Sequence, residues 1–391
     1  MKNLYKTLLL STAIIGLCTF STKAVNITVG SDISSNTTWS ADTVKISDDI
    51  TIKKNITLTI SPGTYVQFQG HYELDVQGRI LAQGTATNKI TFTALNASTG
   101  WSGIRFNRTS TSNDTSKIEY CVISYGKANS GKSDDKQGGA IFFKKYSKVL
   151  IRNNIISNNY ASYYGGAISC YDNSSPKIIN NIICNNSAAS LGGGIYINKT
   201  SNPHIINNTI VNNSAGSQGG GVITYSSNCN PKIINCIVWG NTAPSYSQIG
   251  KSTYATVMYC DIENGYTGTG NINSDPKFIS PSSGVGSTYN GLSANWNIQS
   301  SSPCVNTGNY LSGYYIPDFD VDGDFRFDAN IIDIGAMEYI SSTIACGNIS
   351  TNTTWSGNIL VTCNITVDNG KTLTIQPGTK ITFIGKYHLD I

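Results

Sequence analysis

The chain has 391 residues, of which only 13% are charged, and a formal net charge of +4; it carries 38 glycines and 22 tyrosines. So weak and dispersed a positive charge, with no basic cluster and no aromatic platform of an RNA-binding module, argues against a nucleic-acid partner. A neutral, polar composition of this kind suits an extracellular β protein, and the length allows either two or three ordinary domains or one continuous solenoid.

Lys2 and Lys6 precede an apolar run from Leu8 to Phe20, and Thr22-Lys23-Ala24 follows as a small-residue cleavage site, so residues 1–24 read as a secretory signal peptide. Leu17 stands before Cys18 where a lipoprotein signal wants a small residue, which favours simple cleavage after Ala24. No later run is long enough to cross a membrane as a helix. The expected location is secreted or on the outer surface.

Residues 25–110 read as short strands between turn signals, as in Leu58-Thr59-Ile60-Ser61-Pro62-Gly63, and are expected to form an N-terminal cap and the first coils. Residues 111–241 form the expected regular body, entered through a polar, looped-out stretch, Thr109 to Gln137, that contains Asp134-Asp135. From Gly138 a unit returns every 27 residues: Gly138-Gly139-Ala140-Ile141, Gly165-Gly166-Ala167-Ile168, Gly192-Gly193-Gly194-Ile195 and Gly219-Gly220-Gly221-Val222. Asparagine pairs keep the step at 153–154, 180–181 and 207–208, and again at 158–159, 185–186 and 212–213.

A fixed period of that length means stacked repeats. The apolar residues come as short β-branched runs without helical periodicity, so the repeats are built of strands. At about 3.3 Å per residue one unit closes a single coil of two or three strands. The reading is an all-β, single-stranded β-solenoid in which like side chains stack in columns and each unit is one rung of a parallel β-helix. Glycine suits corners where backbone needs φ > 0 or close approach, and asparagine can pass amide hydrogen bonds between rungs. Pro176, Pro203 and Pro231 fall in the turn before a strand, where a missing N–H costs no ladder bond.

Residues 242–340 read as a degenerate, loop-rich end of the β-helix. Residues 341–391 begin a second copy of the opening module, since Ser34-Ser35-Asn36-Thr37-Thr38-Trp39-Ser40 returns as Ser350-Thr351-Asn352-Thr353-Thr354-Trp355-Ser356. The copy stops midway, as expected of a piece of a longer protein. Of the nine cysteines after residue 24, Cys121, Cys170, Cys184, Cys236 and Cys260 suit small apolar column positions. Cys346 and Cys363 are both present in the second copy and both missing from the first, where Gly30 and Asp48 stand, which suggests a disulfide.

Read as apolar-x-x-Asn-x-Ala-x-x-x-Gly-Gly, the unit fits Ile156, Asn159, Ala161, Gly165 and Gly166, and fits again 27 and 54 residues on. It resembles the GGA-I and F-x-x-N repeats of the chlamydial polymorphic outer-membrane proteins, with Ile where that family usually has Phe. The resemblance implies a right-handed parallel β-helix of the pectin-lyase type among surface-displayed or secreted passenger domains, many of them adhesins. Ile237-Val238-Trp239-Gly240-Asn241, Tyr259-Cys260-Asp261-Ile262-Glu263, Asp275-Pro276-Lys277-Phe278, Ser302-Pro303-Cys304 and Asp333-Ile334-Gly335-Ala336-Met337-Glu338-Tyr339 are similar to the loop-rich ends, called choice-of-anchor domains, of secreted Bacteroidetes-type β-helix proteins.

Four constellations carry candidate chemistry. Asp318-x-Asp320-x-Asp322-Gly323-Asp324 places alternate carboxylates about a glycine turn, as calcium would want, although the twelfth loop position is Ala329 rather than Glu. The bland alternative is a solvated turn with Arg326 as the aspartates' partner. Lys144, Arg152 and Asp172, with Lys145, are the candidates for a calcium-dependent uronate lyase, set against ordinary exposed charge. Asp134-Asp135 is the adjacent carboxylate pair a glycosidase would need; His71, His204 and His388 look isolated. Tyr160, Tyr163, Tyr164, Tyr171, Tyr196 and Tyr225 recur near the corners of consecutive rungs, where rings can stack on sugars or simply pack. The leading expectation is a noncatalytic surface protein for adhesion or binding of an extracellular polysaccharide or cell-surface glycan. A pectate-lyase-like lyase or hydrolase, and a structural spacer, are the alternatives.

Overall fold

The computed structural model describes residues 25–107, 109–146, 148–250, 254–326, 331–339 and 342–391. The expected signal peptide, and Ala329, lie outside the described residues.

Strands of three to five residues recur in the same order along the chain and pair in parallel with their counterparts one coil away. One rung shows the plan: Ile141–Lys144 lies in one sheet, Val149–Arg152 in another, Ile155–Ser157 in a third, and the two-residue strand Tyr160–Ala161 in a short fourth. We call the sheet of Ile155–Ser157 the first (10 strands), that of Ile141–Lys144 the second (8) and that of Val149–Arg152 the third (9). Strands from Asn26 to Ile262 enter these sheets, so the segment read as a cap joins the same stack.

Register follows from the columns. Ile141, Ile168, Ile195 and Val222 are successive partners in the second sheet, as are Ile156, Ile183, Ile210 and Val238 in the first. All are fully buried, and each such side chain contributes about 1.5–3 kcal/mol by leaving water. Cys170 sits between Phe143 and Ile197 in one column; its burial raises the thiol pKa, as at Cys121 and Cys184. The glycine pair divides its work. Gly165 has φ +67°, whereas a Cβ on Gly166 would lie 2.2 Å from the carbonyl oxygen of Gly193 in the next coil.

Each asparagine pair also divides its work. Asn153, Asn158, Asn180, Asn185, Asn207 and Asn212 turn the corner with φ between 52° and 61°. The second member points inward and joins a ladder: Asn154 donates from backbone N and Nδ2 to Asn181 Oδ1 at 3.0 and 2.9 Å, and Asn181 repeats this on Asn208 at 2.9 and 3.0 Å. A parallel ladder runs through Asn159, Asn186, Asn213 and Asn241. Buried corner amides thereby find partners without a sheet.

Residues 242–339 divide into a last coil and a loop-rich return. A last coil is completed by Ile249–Gly250, Thr256–Met258 and Asp261–Ile262, after which the chain folds back outside the solenoid. Trp296, Ile298, Val321, Ile334 and Met337 pack on Ile182, Cys184, Val211 and Ile237 of the first sheet, while Ile316 and Ile332 pack on Ile179, Ile206 and Ile234 of the third. The cause is the outward apolar set of those strands, which a neutral polar surface would otherwise leave wet. The corner asparagines fasten this strap: Asn158 Nδ2 donates to the carbonyls of Ser287 and Tyr289, and Asn153 Nδ2 to those of Phe319 and Asp320.

Residues 342–391 repeat the opening pairing. Trp355 partners Ile375 as Trp39 partners Ile60, around a small core of Ala345, Trp355, Ile359, Val361 and Ile365. Cys346 and Cys363 are joined by a disulfide with Cα atoms 4.9 Å apart. Among the described residues no helix is long and apolar enough to cross a membrane.

Candidate functional site

The strap packs on the first and third sheets; the outer face of the second sheet is covered instead by the polar loop before Gly138 and by Tyr164 and Leu191, so that its central row from Asp75 to Ile223 is buried. Outward positions alternate with core positions: Leu74 and Val76 are fully buried, while Glu73 and Asp75 lie on the other face. Register brings Asp75 beside Thr51 on one side and Arg105 on the other. The polar loop before Gly138 then folds over this face through a short turn, Asp134–Lys136. Gly131, at φ +78°, makes the fold possible, since a Cβ there would meet Asp135 Oδ2 at 2.5 Å.

Between loop and sheet lies a cavity of about 560 Å³ lined by Asp49, His71, Glu73, Ser102, Asn107, Ser130, Lys132, Asp134 and Asp135. Asp49 Oδ1 accepts the Glu73 N–H at 2.9 Å, and Asp135 Oδ2 that of Lys132 at 2.8 Å. His71 is oriented through both nitrogens, Nε2 at 2.7 Å from the Lys127 carbonyl and Nδ1 at 3.0 Å from the Ser102 hydroxyl. Burial raises the Glu73 carboxyl pKa; Asp75, Asp49 and Asp135 push the same way, against the opposing charge of Arg105. Arg105 is buried beside the cavity with its pKa lowered to about 10 by desolvation. Its donors go to the carbonyls of Gln137, Gly138 and Ser102 rather than outward.

The same face continues into aromatic rings. Tyr163 and Tyr164 lie 5.7 Å apart, Tyr164 stacks on Tyr196 at 4.6 Å, and Tyr196 meets Tyr225 at 6.3 Å. Tyr163 and Tyr225 are exposed, whereas Tyr196 is 1% exposed and forms the floor against which its neighbours pack. Tyr171 carries Lys199 4.7 Å above its ring and Lys144 at 5.9 Å. Tyr160 stands apart on the short fourth sheet.

The lysine, arginine and aspartate expected to form a lyase centre do not converge. Lys144 Nζ pairs with Asp134 at 2.5 Å, Asp172 with Lys145 at 3.6 Å, and Arg152, on the third sheet, with Glu119 at 2.7 Å and the ring of Tyr315. They sit on two different sheets and a corner, which no side chain of that reach can bridge. Asp134 and Asp135 do meet in the cavity. Asp49, His71 and Glu73 join them there, although sequence reasoning did not group them.

The aspartate loop, where calcium was the expectation, is tied by backbone hydrogen bonds to Asp320. Asp320 Oδ1 accepts the N–H groups of Asp322 and Asp324, each at 2.8 Å, and Oδ2 that of Glu338 at 2.9 Å. Asp318 accepts Arg326 N through its backbone carbonyl, and Asp322 lies 3.8 Å from Lys89. The Arg326 side chain, instead of pairing with these aspartates, reaches Asn180 Oδ1 at 2.8 Å, the Gly335 carbonyl at 3.0 Å and Glu338 at 3.5 Å, and so pins the strap to the solenoid. Among the described residues no three His, Cys, Asp or Glu side chains are grouped to hold a metal ion. His204 lies against Tyr314, and His388 beside Asp390.

No curated protein matches the chain. Residues 79–262 match the family model described as a right handed beta helix region. With the parallel stacked sheets that strands from Asn26 to Ile262 form, the fold is all-β, a right-handed parallel β-helix built of repeats.

Proposed function

We propose that this is a noncatalytic, exported β-helix protein that binds an extended polysaccharide along the outer face of its second sheet, in adhesion or glycan capture outside the cell. The observation that carries this reading is that the cavity and the tyrosine run lie along the same side of the solenoid, over the outer face of the second sheet; the strand row beneath them, Arg105, Phe142, Ser169, Tyr196 and Ile223, is buried, so the ligand would rest on the loop and the exposed rings of Tyr163 and Tyr225. From the strand Ile50–Ile52 to the strand Val222–Thr224 that face spans six inter-strand steps, roughly 29 Å at about 4.8 Å each. Pyranose rings offer apolar C–H faces to aromatic rings and hydroxyls to carboxylates, and the face supplies both partners in line.

The charge of the lining favours a neutral glycan. Asp49, Glu73, Asp134 and Asp135 face Lys132 as the one lysine or arginine of the lining, and Lys144 is occupied by Asp134. A uronate polymer would meet repulsion there. Retention of the protein on neutral glucans, xylans or mannans, weakened in Tyr225→Ala and Asp135→Asn, is the expected result. Retention on none of them, or retention indifferent to both changes, would remove the reading and leave a spacer.

One observation favours a second reading, a glycoside hydrolase. Glu73, which burial and neighbouring carboxylates keep protonated to higher pH, lies with Asp49 and Asp135 in one cavity. Glu73 would protonate the leaving oxygen while an ionised aspartate acts on the other side of the ring. Release of reducing ends that disappears in Glu73→Gln, with binding intact, would establish it.

A further inference from the structure

A second concavity lies away from that face, where the strap meets the first sheet. It measures about 580 Å³ and is lined by Asn212, Trp239, Gly240, Asp275, Lys277, Phe278, Ser282, Trp296 and Gln299. Its walls are aromatic. Phe278 meets Trp296 edge-on at 5.2 Å, fixing both rings, and Trp239 is only half-buried at the outward end of its strand. Trp296 spends its indole N–H on the Gly291 carbonyl and is itself buried, so it backs the wall and leaves Trp239 and Phe278 as the partly exposed rings.

The rim is polar and balanced. Asp275 and Lys277 supply one charge of each sign. Asp275 Oδ1 already accepts the Lys277 N–H at 2.9 Å, and the Lys277 ammonium is tethered 3.0 Å from the Ser301 carbonyl. Gln299 and Asn212 add amides held in place by the Phe278 and Gly284 carbonyls. A charged ligand gains little from so balanced a rim, and a wholly apolar one would strip water from the carboxylate and amides without replacing their hydrogen bonds. A ligand with an apolar face and a fringe of hydroxyls satisfies walls and rim together.

We infer that this pocket between strap and first sheet is a second saccharide-binding site, for a short neutral unit of one or two sugars stacked on Trp239. It is independent of the tyrosine face and of the reading given to it. Two sites on one rigid body would let the protein hold one glycan along its length and another at a point, which raises retention without any new contact.

The test is intrinsic tryptophan fluorescence of the full chain titrated with cellobiose, xylobiose, mannobiose and lactose. Saturable quenching or a blue shift by one of them is expected, weakened about tenfold or more in Trp239→Ala. Asp275→Asn, which keeps the acceptor for the Lys277 N–H at an exposed position, serves as the second variant and should also weaken it, whereas Tyr225→Ala should not. Absence of a saturable signal with all four sugars overturns the inference. So does a signal that survives Trp239→Ala and Asp275→Asn but vanishes in Tyr225→Ala, an outcome that would place the sugar on the other face and leave that reading standing.

Discussion

Replacing Asn181 by alanine removes the centre of the inward asparagine ladder. Its Oδ1 accepts two hydrogen bonds from Asn154, and its Nδ2 donates to the carbonyls of Ile151 and Ile179 and to Asn208 Oδ1, all at 2.9–3.0 Å and out of reach of solvent. Two Asn154 donors are then left without an acceptor. At about 1–3 kcal/mol for each stranded buried group the loss should be about 3–5 kcal/mol. The column contains its own control. At the next positions Cys236 and Cys260 replace asparagine: Cys236 Sγ accepts from Asn208 N at 3.4 Å and faces the carbonyls of Ile205 and Ile234 at 3.4 and 3.3 Å. Asn181→Cys should therefore cost clearly less, about 1–2 kcal/mol. Urea unfolding followed by circular dichroism, with reductant present, compares the two. A loss below about 1 kcal/mol in Asn181→Ala, or equal losses in both variants, would refute the ladder as a source of stability.

The strap makes stability depend on pH. Burial raises the carboxyl pKa of Asp320 to about 6, and it raises those of Asp333 and Glu338 as well. The folded state therefore holds protons that the unfolded chain releases from about pH 4 upward, and stability falls as pH rises from about 4 to 6, by on the order of 3 kcal/mol at most for Asp320. The thermal midpoint should be higher at pH 4.5 than at pH 7.5, with a smaller difference in Asp320→Asn; a midpoint that rises with pH would contradict this. The disulfide between Cys346 and Cys363 closes a loop of sequence separation 17, worth about 3 kcal/mol by loop entropy. Limited proteolysis of Cys346→Ser should cut within 342–391 sooner while sparing the solenoid. Calcium chelation should leave the thermal midpoint within about 1 °C, because both Asp320 oxygens already accept backbone N–H groups. A drop of several degrees, restored by calcium, would assign the ion to the aspartate loop.

The solenoid was legible because stacked coils put equivalent residues in equivalent surroundings. Gly138, Gly165, Gly192 and Gly219 all have φ between 61° and 69°, and a fixed step of 27 residues makes that equivalence visible. The same logic hid the difference within each asparagine pair. Asn180 and Asn181 look alike in sequence, yet one turns outward to hold Arg326 and the other inward to the ladder. The return of residues 270–339 was illegible because its partners are rungs some hundred residues earlier and it has no period of its own. The motifs similar to loop-rich ends gave no partner for it, and the sign of where it packs was the outward apolar set of the first sheet, Ile155, Ile182 and Ile237.

At the cavity, Asp134-Asp135 stood out as an adjacent acidic pair in a polar loop. Asp49 and Glu73 did not, because the early coils change length: 22 residues separate Val44 from its partner Val66, and 31 separate Phe92 from Ile123. Without a constant step, nothing in the sequence stacks those side chains. The alternation Glu73-Leu74-Asp75-Val76 was the available signal, since it places two carboxylates on the outer face. Lys144, Arg152 and Asp172 failed for the converse reason. They are close in sequence, but a coil turns through its corners within that distance.

The central claim is that the second sheet's outer face holds an extended neutral glycan, and calorimetric titration with neutral oligosaccharides of increasing length tests it most directly. Affinity should climb with length until the oligosaccharide spans roughly 29 Å, and should fall in Tyr225→Ala at one end of the face and in Asp135→Asn at the other. Affinity independent of length and untouched by both substitutions, or no binding by any neutral oligosaccharide, would contradict the account.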